Sequence, residues 1–220
     1  MLRVNGEEVY DQWVNHEIPF NDPKVKAVAD AVGSYVKNPE YLGGENNVKA
    51  IATTKFQDGG LPILTGDCFM HRQANFYSGN WPDGTVVGPE GAVNFFYLPS
   101  KSTSPQYMLG AGDIYAAGTD KPETYAVLAY TGSPEYQLHE INTRGDLSPN
   151  TKLEIDKVTD PVMKQLSELQ AGADVFRFDG SDMMPGAVGS GTFWTEVTAW
   201  VIGGSTEDFV NNVEASWPKS

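Results

Sequence analysis

The sequence predicts an α/β fold, because strong helix-start signals alternate along the chain with short apolar segments of strand character. Two Asp-Pro pairs, Asp22-Pro23 and Asp160-Pro161, each place a capping residue before a proline at the first helical position. Short apolar runs closed by glycine or proline, such as residues 61–66, are typical of strands. Because the two kinds of signal alternate along the chain, a mixed α/β fold is expected.

The predicted helices each rest on local spacing or capping. Asp22 begins a segment with an apolar stripe at helical spacing, made of Val25, Val28, Ala29, Val32 and Val36. Asp160 precedes the helical segment "VMKQLSELQ". Ser205, with Asp208 three residues later, can cap the last helix. Further helices are predicted over residues 6–18, 46–56 and 122–130.

The predicted strands are fewer and shorter. Residues 61–66 and 92–99 are apolar and rich in strand-forming residues, and the second segment ends at Pro99. Residues 107–118 have a strand pattern interrupted by glycines. Residues 142–150 are polar and rich in turn formers, which favours a connector that crosses between subdomains.

Composition excludes several classes of protein. The chain has 220 residues, 40% of them hydrophobic, which is sufficient for one large domain or two small ones with a real core. A net charge of −14 repels phosphate backbones and anionic lipid, so nucleic acid is excluded as the main partner. The single cysteine rules out an internal disulfide. The first residues have no secretion-signal pattern, so we expect either a cytoplasmic protein or an incomplete gene product.

No cofactor and no metal are expected from the motifs. Gly110 and Gly112 begin a dinucleotide-like pattern, but Tyr115 stands where its third glycine belongs. Cys68 and His71 form a C-x-x-H pair without a second pair at zinc spacing. Neither a phosphate-binding loop nor a G-x-S-x-G nucleophile motif occurs in the sequence.

Two carboxylates leave an enzymatic alternative open. Asp179 and Asp182 could serve as the acid and base of a glycoside hydrolase if one of them had a raised pKa. The competing interpretation is that Asp179 caps the local turn "DGSD" through its side chain. The sequence does not separate these two roles.

The stretch from Phe176 to Trp194 favours sugar binding. Sugars present hydroxyl rims and apolar faces, so a sugar site needs aromatic rings together with planar charged groups. Arg177 supplies donors, Asp179 or Asp182 supplies acceptors, and Trp194 supplies a flat ring, with glycines that let the backbone approach a ligand. The alternative for Trp194 is core packing at the start of a helix.

A second stretch, residues 66–81, combines the same residue types. It places His71 and Phe76 among other polar and aromatic side chains, as a sugar cleft would. The alternative is the start of an amphipathic helix that buries Phe76 in the core.

At these residues the sequence resembles the extracellular solute-binding proteins of carbohydrate ABC importers, in their maltose and α-glucoside branch. The similarity runs in order through residues 10–27, 58–76, 110–118, 176–201 and 214–218. It covers essentially the whole chain. The long run "FRFDGSDMMPGAVGSGTFW" is the most specific part.

This resemblance implies a periplasmic-binding-protein type II-like fold with two α/β lobes that close on sugar across a hinge. Family members are about twice as long, so this chain is expected to be a C-terminal portion. The implied organisation is 1–110 and 151–220 in the C-terminal lobe, with 111–150 as the hinge and part of the other lobe. An extracellular, cell-surface or periplasmic location is implied, with membrane attachment only through a lipid anchor on a part not included here.

The resemblance also implies the function and its residues. The protein would bind an oligosaccharide such as maltose, trehalose or sucrose and deliver it to permease subunits of an ABC importer, without chemistry. The expected ligand contacts are Phe76, Gly110, Gly112, Asp113, Arg177, Asp179 and Trp194, together with His71 from the pattern of residues 66–81. An isolated lobe that binds no ligand by itself remains the other interpretation, since half a cleft cannot enclose a sugar.

Overall fold

The chain, described by a computed structural model over residues 1–42, 45–98 and 105–219, divides into two compact units. Unit 1 comprises three segments, Met1–Lys55, Tyr107–Ala111 and Val175–Ser220. Unit 2 comprises Phe56–Gln106 and Gly112–Asp174. Unit 1 is therefore assembled from segments that are far apart in the sequence, whereas the two segments of unit 2 are separated only by residues 107–111.

The chain leaves unit 1 after Ala111, next to the first predicted boundary, and returns at Val175. Residues 142–150, expected to cross between subdomains, instead lie within unit 2. They are held there by hydrogen bonds such as that from Gln170 Nε2 to the Ser148 carbonyl, at 2.8 Å. Because these units reflect contacts within this chain, the lobe ranges 1–110, 111–150 and 151–220 stay a prediction.

Helices make up most of the described residues of unit 1 and a smaller share of those of unit 2. In chain order they are α1 (Leu2–Val14), α2 (Pro23–Val36), α3 (Glu45–Ala50), α4 (Pro62–Thr65), α5 (Pro122–Thr131), α6 (Pro134–Arg144), α7 (Pro161–Ala171), α8 (Gly180–Met183), α9 (Phe193–Val201) and α10 (Thr206–Ala215). Short 3₁₀ turns occupy Pro39–Tyr41, Asn75–Asn80 and Ile155–Lys157, and a π-helical segment occupies Ala187–Thr192.

The predicted helix caps are confirmed. The Asp22 carboxylate accepts the Lys24 backbone N–H at 2.8 Å. One Asp160 oxygen accepts the N–H groups of both residues 162 and 163, at 2.8 and 2.9 Å. Ser205 Oγ accepts the Asp208 N–H at 3.0 Å. Each cap satisfies backbone donors that the first helical turn leaves unpaired.

Two predicted helices have different bounds in the structure. The helix expected over 6–18 begins at Leu2 and ends at Val14, with a kink where Gly6 adopts a φ of 81°. The helix expected over 46–56 ends at Ala50. The Thr53 hydroxyl bonds back to the Ala50 carbonyl at 3.3 Å, a local contact that competes with continuation of the helix.

The strand predictions are largely wrong. Residues 62–65 form α4, because Pro62 at its start and Gly66 in a left-handed conformation at its end are helix-boundary signals that outweigh the apolar composition. Within 92–98 there is one isolated bridge, from Val93 to Val87, and Pro99 lies outside the described residues. Of 107–118, only residues 107–110 form a strand.

The two strands of the described residues pair in parallel. Strand β1 (Tyr107–Gly110) lies beside β2 (Val175–Phe178), in the register Tyr107↔Val175 to Gly110↔Phe178. A parallel pair requires a long crossover, and here the crossover includes all of unit 2 that follows β1. The α/β prediction is thus confirmed in its coarse form, as a mixed fold of helices and parallel strands.

The core of unit 1 is built from interlocking aromatic rings between helices. Phe20 is 1% exposed, and its ring meets those of Trp13, Phe193 and Phe209 at centroid distances of 5.6, 5.1 and 5.9 Å. Val188, Val210 and Val213 complete this core with almost no exposed surface. The core therefore joins α1, near the start of the chain, to α9 and α10, near its end.

The core of unit 2 is aliphatic. Three residues are buried together: Ile141 in α6, Val158 just before α7 and Met163 in α7. Four partly buried leucines surround them: Leu138, Leu147, Leu153 and Leu166. A separate buried ring, Tyr77, donates to the Gln57 carbonyl and accepts the Gly60 N–H at 2.9 Å.

Candidate functional site

The candidate site in unit 1 lies at the carboxyl ends of the paired strands. Gly110 and Phe178 end β1 and β2 side by side, and the Asp179 N–H donates to the Gly110 carbonyl at 2.8 Å. Two predicted ligand residues, Gly110 and Asp179, are thereby brought into contact. Ligands of α/β sheets typically bind at this edge, beyond the carboxyl ends of the strands.

Gly110 is required by close packing as well as by its place at the edge. A β-carbon at this position would lie 2.5 Å from Cζ of Phe176, well inside van der Waals contact. The Phe176 ring therefore covers the Cα of Gly110, while 46% of the surface of Phe176 remains exposed. A larger residue at 110 would displace this aromatic face.

Asp179 acts as the N-cap of α8. Its Oδ1 accepts both the Ser181 N–H, at 2.9 Å, and the Ser181 hydroxyl, at 2.7 Å. The interpretation of Asp179 as a turn-capping residue is thus observed directly. Because both bonds go to one oxygen, capping does not by itself use the whole carboxylate, and a ligand contact through Oδ2 stays a prediction.

The guanidinium of Arg177 is engaged by a carboxylate that the sequence analysis did not identify. Nε donates to Asp11 Oδ1 at 2.7 Å, and Nη2 donates to Asp11 Oδ2 at 2.8 Å. Nη1 donates to the Phe176 carbonyl at 2.9 Å. These hydrogen bonds to Asp11 raise the pKa of Arg177, which stays charged. Its expected role as a hydroxyl clamp remains a prediction, and the contacts observed tie α1 to β2.

Tyr10 holds the same end of β2. Its hydroxyl donates to the Phe178 carbonyl at 2.7 Å. Burial raises the pKa of Tyr10, and the nearby carboxylates of Asp179 and Asp11 raise it further. No local pattern marks Tyr10 or Asp11 as partners of residues 177–179, because more than 160 positions separate them.

Trp194 is exposed at the start of α9. Trp194 keeps 72% of its surface accessible, whereas the adjacent Phe193 packs against Phe20 and Phe209 in the core. Consecutive helical residues point about 100° apart, so an inward Phe193 turns Trp194 outward. The alternative of core packing for Trp194 is therefore wrong, and Phe193 fills that role instead.

The glycine-rich run before Trp194 is packed helix rather than a flexible loop. The Phe193 N–H bonds to the Val188 carbonyl, the five-residue spacing of a π-helix. At Gly189, a β-carbon would lie 1.9 Å from the Ser181 carbonyl oxygen. The backbone thus approaches its own neighbour α8 at Gly189, and this contact fixes the segment that leads to Trp194.

Unit 2 contains the second group of predicted ligand residues. The His71 ring lies 4.8 Å from that of Tyr77, and burial lowers the pKa of His71, which favours the neutral imidazole. Phe76 is 54% exposed and meets Phe56 edge-on at 5.9 Å, so it is not the core residue of an amphipathic helix. Within the described chain, His71 Nε2 is a buried atom without a hydrogen-bond partner.

Gly112 and Asp113 follow β1 as exposed, irregular chain. They belong to unit 2, whereas Gly110 belongs to unit 1. The structure therefore joins Gly110, Arg177 and Asp179 in one unit and places His71 and Phe76 on a common segment of the other. A role of Gly112 or Asp113 in ligand binding stays a prediction.

Two shallow surface depressions in the described chain are lined by other residues. One, in unit 2, includes Glu135, His139 and Lys157, and one, in unit 1, includes His16 and Trp217. Neither depression is lined by Gly110, Arg177 or Asp179. Across the described ranges, no group of three or more His, Cys, Asp or Glu residues is arranged to hold a metal ion, and no helix is long and apolar enough to cross a bilayer.

Comparison with known proteins gives two relatives that match along essentially all of this chain. It is 34% identical over 222 residues to the α-glucosides-binding periplasmic protein AglE of Rhizobium meliloti, covering 99% of this chain and 48% of that protein. It is 35% identical over 224 residues to the osmoprotective compounds-binding protein GgtB of Synechocystis, covering 100% of this chain and 52% of that protein. No family model matches, and no solved structure gives a significant match.

The chain therefore spans about half the length of the curated relatives it matches. Both relatives are binding proteins by name, and one is named as periplasmic. Along its entire length, this chain is homologous to solute-binding proteins, which confirms the resemblance to the solute-binding proteins of ABC importers.

Proposed function

We propose that the chain is part of a protein that binds an oligosaccharide, an α-glucoside such as maltose, trehalose or sucrose, and delivers it to an ABC importer without chemistry. The observation that carries the proposal is the exposed indole of Trp194 beside Phe193, which is partly buried and packs against the core. A large flat ring kept outside an adjacent aromatic core is suited to stack on the apolar face of a sugar.

Relatives support the ligand class. One binds α-glucosides and the other binds osmoprotective compounds, according to their names. The proposed fold of the whole protein is the periplasmic-binding-protein type II fold, and the parallel strands β1 and β2 with flanking helices are compatible with part of one lobe. Permease subunits are the proposed partners, and the proposed location is outside the cytoplasmic membrane.

Asp179 is proposed to supply the polar part of the ligand contact. Asp179 lies at the carboxyl end of β2, in the same unit as Trp194, with one oxygen used by Ser181. Carboxylate acceptors bind sugar hydroxyls, and an aromatic plate orients the ring. Asp179 also caps α8, so the position of its carboxylate is set by the fold.

Titration calorimetry of the full gene product with maltose, trehalose and sucrose tests the proposal. Trp194→Ala should weaken binding by about 1–3 kcal/mol, judged from the ring area that stacking buries. The matched control is Tyr41→Ala, which removes another exposed ring of unit 1, 68% exposed, and should leave affinity unchanged. Equal affinity of the wild type and a folded Trp194→Ala variant would contradict the proposal.

A further inference from the structure

Helix α1 holds the carboxyl end of β2 through two adjacent residues. Tyr10 bonds to the Phe178 carbonyl at 2.7 Å, and Asp11 binds Arg177 through both carboxylate oxygens, at 2.7 and 2.8 Å. Residues 177 and 178 are the last two of the strand. One turn of a distant helix therefore fixes the backbone and a side chain at the point where β2 becomes the Asp179 turn.

Packing at the next residue reinforces this grip. A β-carbon on the buried Gly180 would lie 2.8 Å from Cζ3 of Trp13, 3.0 Å from the Tyr10 hydroxyl and 3.2 Å from Cγ2 of Val14. Helix α1 thus rests directly on the backbone of the first residue of α8. This close approach leaves the Asp179 turn little room to move relative to α1.

The other side of the turn is held by β1. The Asp179 N–H donates to the Gly110 carbonyl, and the Asp179 carboxylate accepts two bonds from Ser181. The turn is consequently bonded to β1 on one side and to α1 on the other. Among these restraints, the ion pair of Asp11 and Arg177 is the one made of two parallel hydrogen bonds between charged groups. Such bidentate ion pairs fix the orientation of both side chains.

We propose that Asp11 is a positioning residue: by engaging Arg177 it fixes the turn that presents Asp179, and through that turn it sets affinity for the ligand. The inference rests on the proposed function for its ligand. Asp11 does not contact the ligand in this proposal. Arg177 also positions the turn, so in the protein its guanidinium binds Asp11 and does not bind sugar hydroxyls.

Amide hydrogen exchange of the full gene product, without ligand, tests the positioning directly. In Asp11→Asn, the amides of Asp179 and Ser181 should exchange about tenfold faster, because opening of the turn is no longer opposed by the ion pair. Amides of α10 report the global stability of unit 1 and should change much less. The control is Glu8→Gln, which removes one exposed charge from the same helix and should leave the turn unaffected. Unchanged exchange at both turn amides in Asp11→Asn would overturn the proposal.

A charge exchange then separates positioning from direct contact. Asp11→Asn should weaken maltose binding by about fivefold to tenfold, since a less ordered site binds less tightly. The double variant Asp11→Arg with Arg177→Asp keeps an ion pair and should restore both the slow exchange and most of the affinity. If it restores slow exchange while affinity stays low, Arg177 contacts the ligand itself and the positioning role is refuted.

The same experiments distinguish failure of the two proposals. If the wild type binds none of maltose, trehalose or sucrose, the proposed function fails, and the exchange measurement still decides whether Asp11 holds the turn. If the wild type binds and Asp11→Asn binds equally well with a loosened turn, the positioning proposal fails and the binding function stands.

Discussion

The two units of this chain achieve burial in different ways. Unit 1 packs aromatic rings from two distant segments, with Phe20 enclosed by Trp13, Phe193 and Phe209. Unit 2 buries a small aliphatic cluster around Ile141, and it leaves large apolar side chains such as Phe69 91% exposed. Large rings that interlock bury more area per residue than a few aliphatic side chains do. Convergence of distant segments, rather than apolar composition, therefore decides where this chain is firmly packed.

This contrast predicts that substitutions in the aromatic core have the largest effect. Phe20→Ala should destabilise unit 1 by about 3–5 kcal/mol, because it removes a fully buried ring and leaves a cavity among three others. Denaturant unfolding followed by tryptophan fluorescence measures this loss, since Trp13 and Trp200 lie in the same core. A loss below about 1 kcal/mol would mean that the core of unit 1 collapses readily around the gap.

The matched change in unit 2 is Phe69→Ala. Its ring is exposed, so the free energy of unfolding should change by no more than about 0.5 kcal/mol. A large loss for Phe69→Ala would remove the contrast between the units.

An effect smaller than that of Phe20→Ala is expected at the contact between α1 and α8. Gly180→Ala should destabilise unit 1 by about 1–3 kcal/mol, because the added methyl group enters the space of Trp13 and Tyr10. Gly186→Ala is the control, since a β-carbon there meets no atom within 4 Å. Thermal unfolding of the two variants should differ clearly, and equal melting temperatures would show that α1 can move away from Gly180 at little cost.

The smallest expected effect is a pH dependence in unit 2. Burial lowers the pKa of His71 below its ordinary value of 6.5, so in the range between the two values the unfolded chain binds a proton and the folded chain does not. This stability is fully present above the ordinary pKa and is lost as pH falls from that value through the lower pKa of the folded state. Unprotected amides themselves exchange more slowly as pH falls, so the quantity to follow is the protection factor of the Gly60 amide, which bonds to the Tyr77 hydroxyl beside His71. This protection factor should decrease on acidification from pH 7 to about 5.

Removal of the imidazole provides the check on that pH dependence. His71→Phe should abolish the loss of protection at Gly60, whereas His139→Gln, which alters an exposed histidine of the same unit, should leave it in place. A dependence that survives His71→Phe would assign it to another group.

Local signals predicted the helices well and the strands poorly. A cap such as Asp160 acts within three residues of itself, so the start of α7 can be read from the sequence. Strands gain their hydrogen bonds from a partner, and the partner of residues 107–110 is 68 positions away (Tyr107↔Val175). Residues 92–98 are equally rich in strand formers and have no such partner among the described residues beyond one bridge. Strand character alone therefore did not decide which segments pair.

The candidate site shows the same division. The residue types at 177, 179 and 194 pointed to sugar binding, and the resemblance to solute-binding proteins could be recognised from the same stretch. Their individual tasks could not be predicted, because the partner of Arg177 is Asp11 and the core neighbour of Trp194 is Phe193. Assignment of each side chain to ligand or to fold depends on contacts that only folding creates.

By itself, the sequence determined the helix starts, the acidic surface charge and the kinship with solute-binding proteins, since all three depend on residue identity and short-range order. Tertiary structure decided which strands pair, that Trp194 faces outward and that α1 anchors the end of β2. Those outcomes arise when segments more than 60 positions apart meet, and the free energy of each contact depends on both partners.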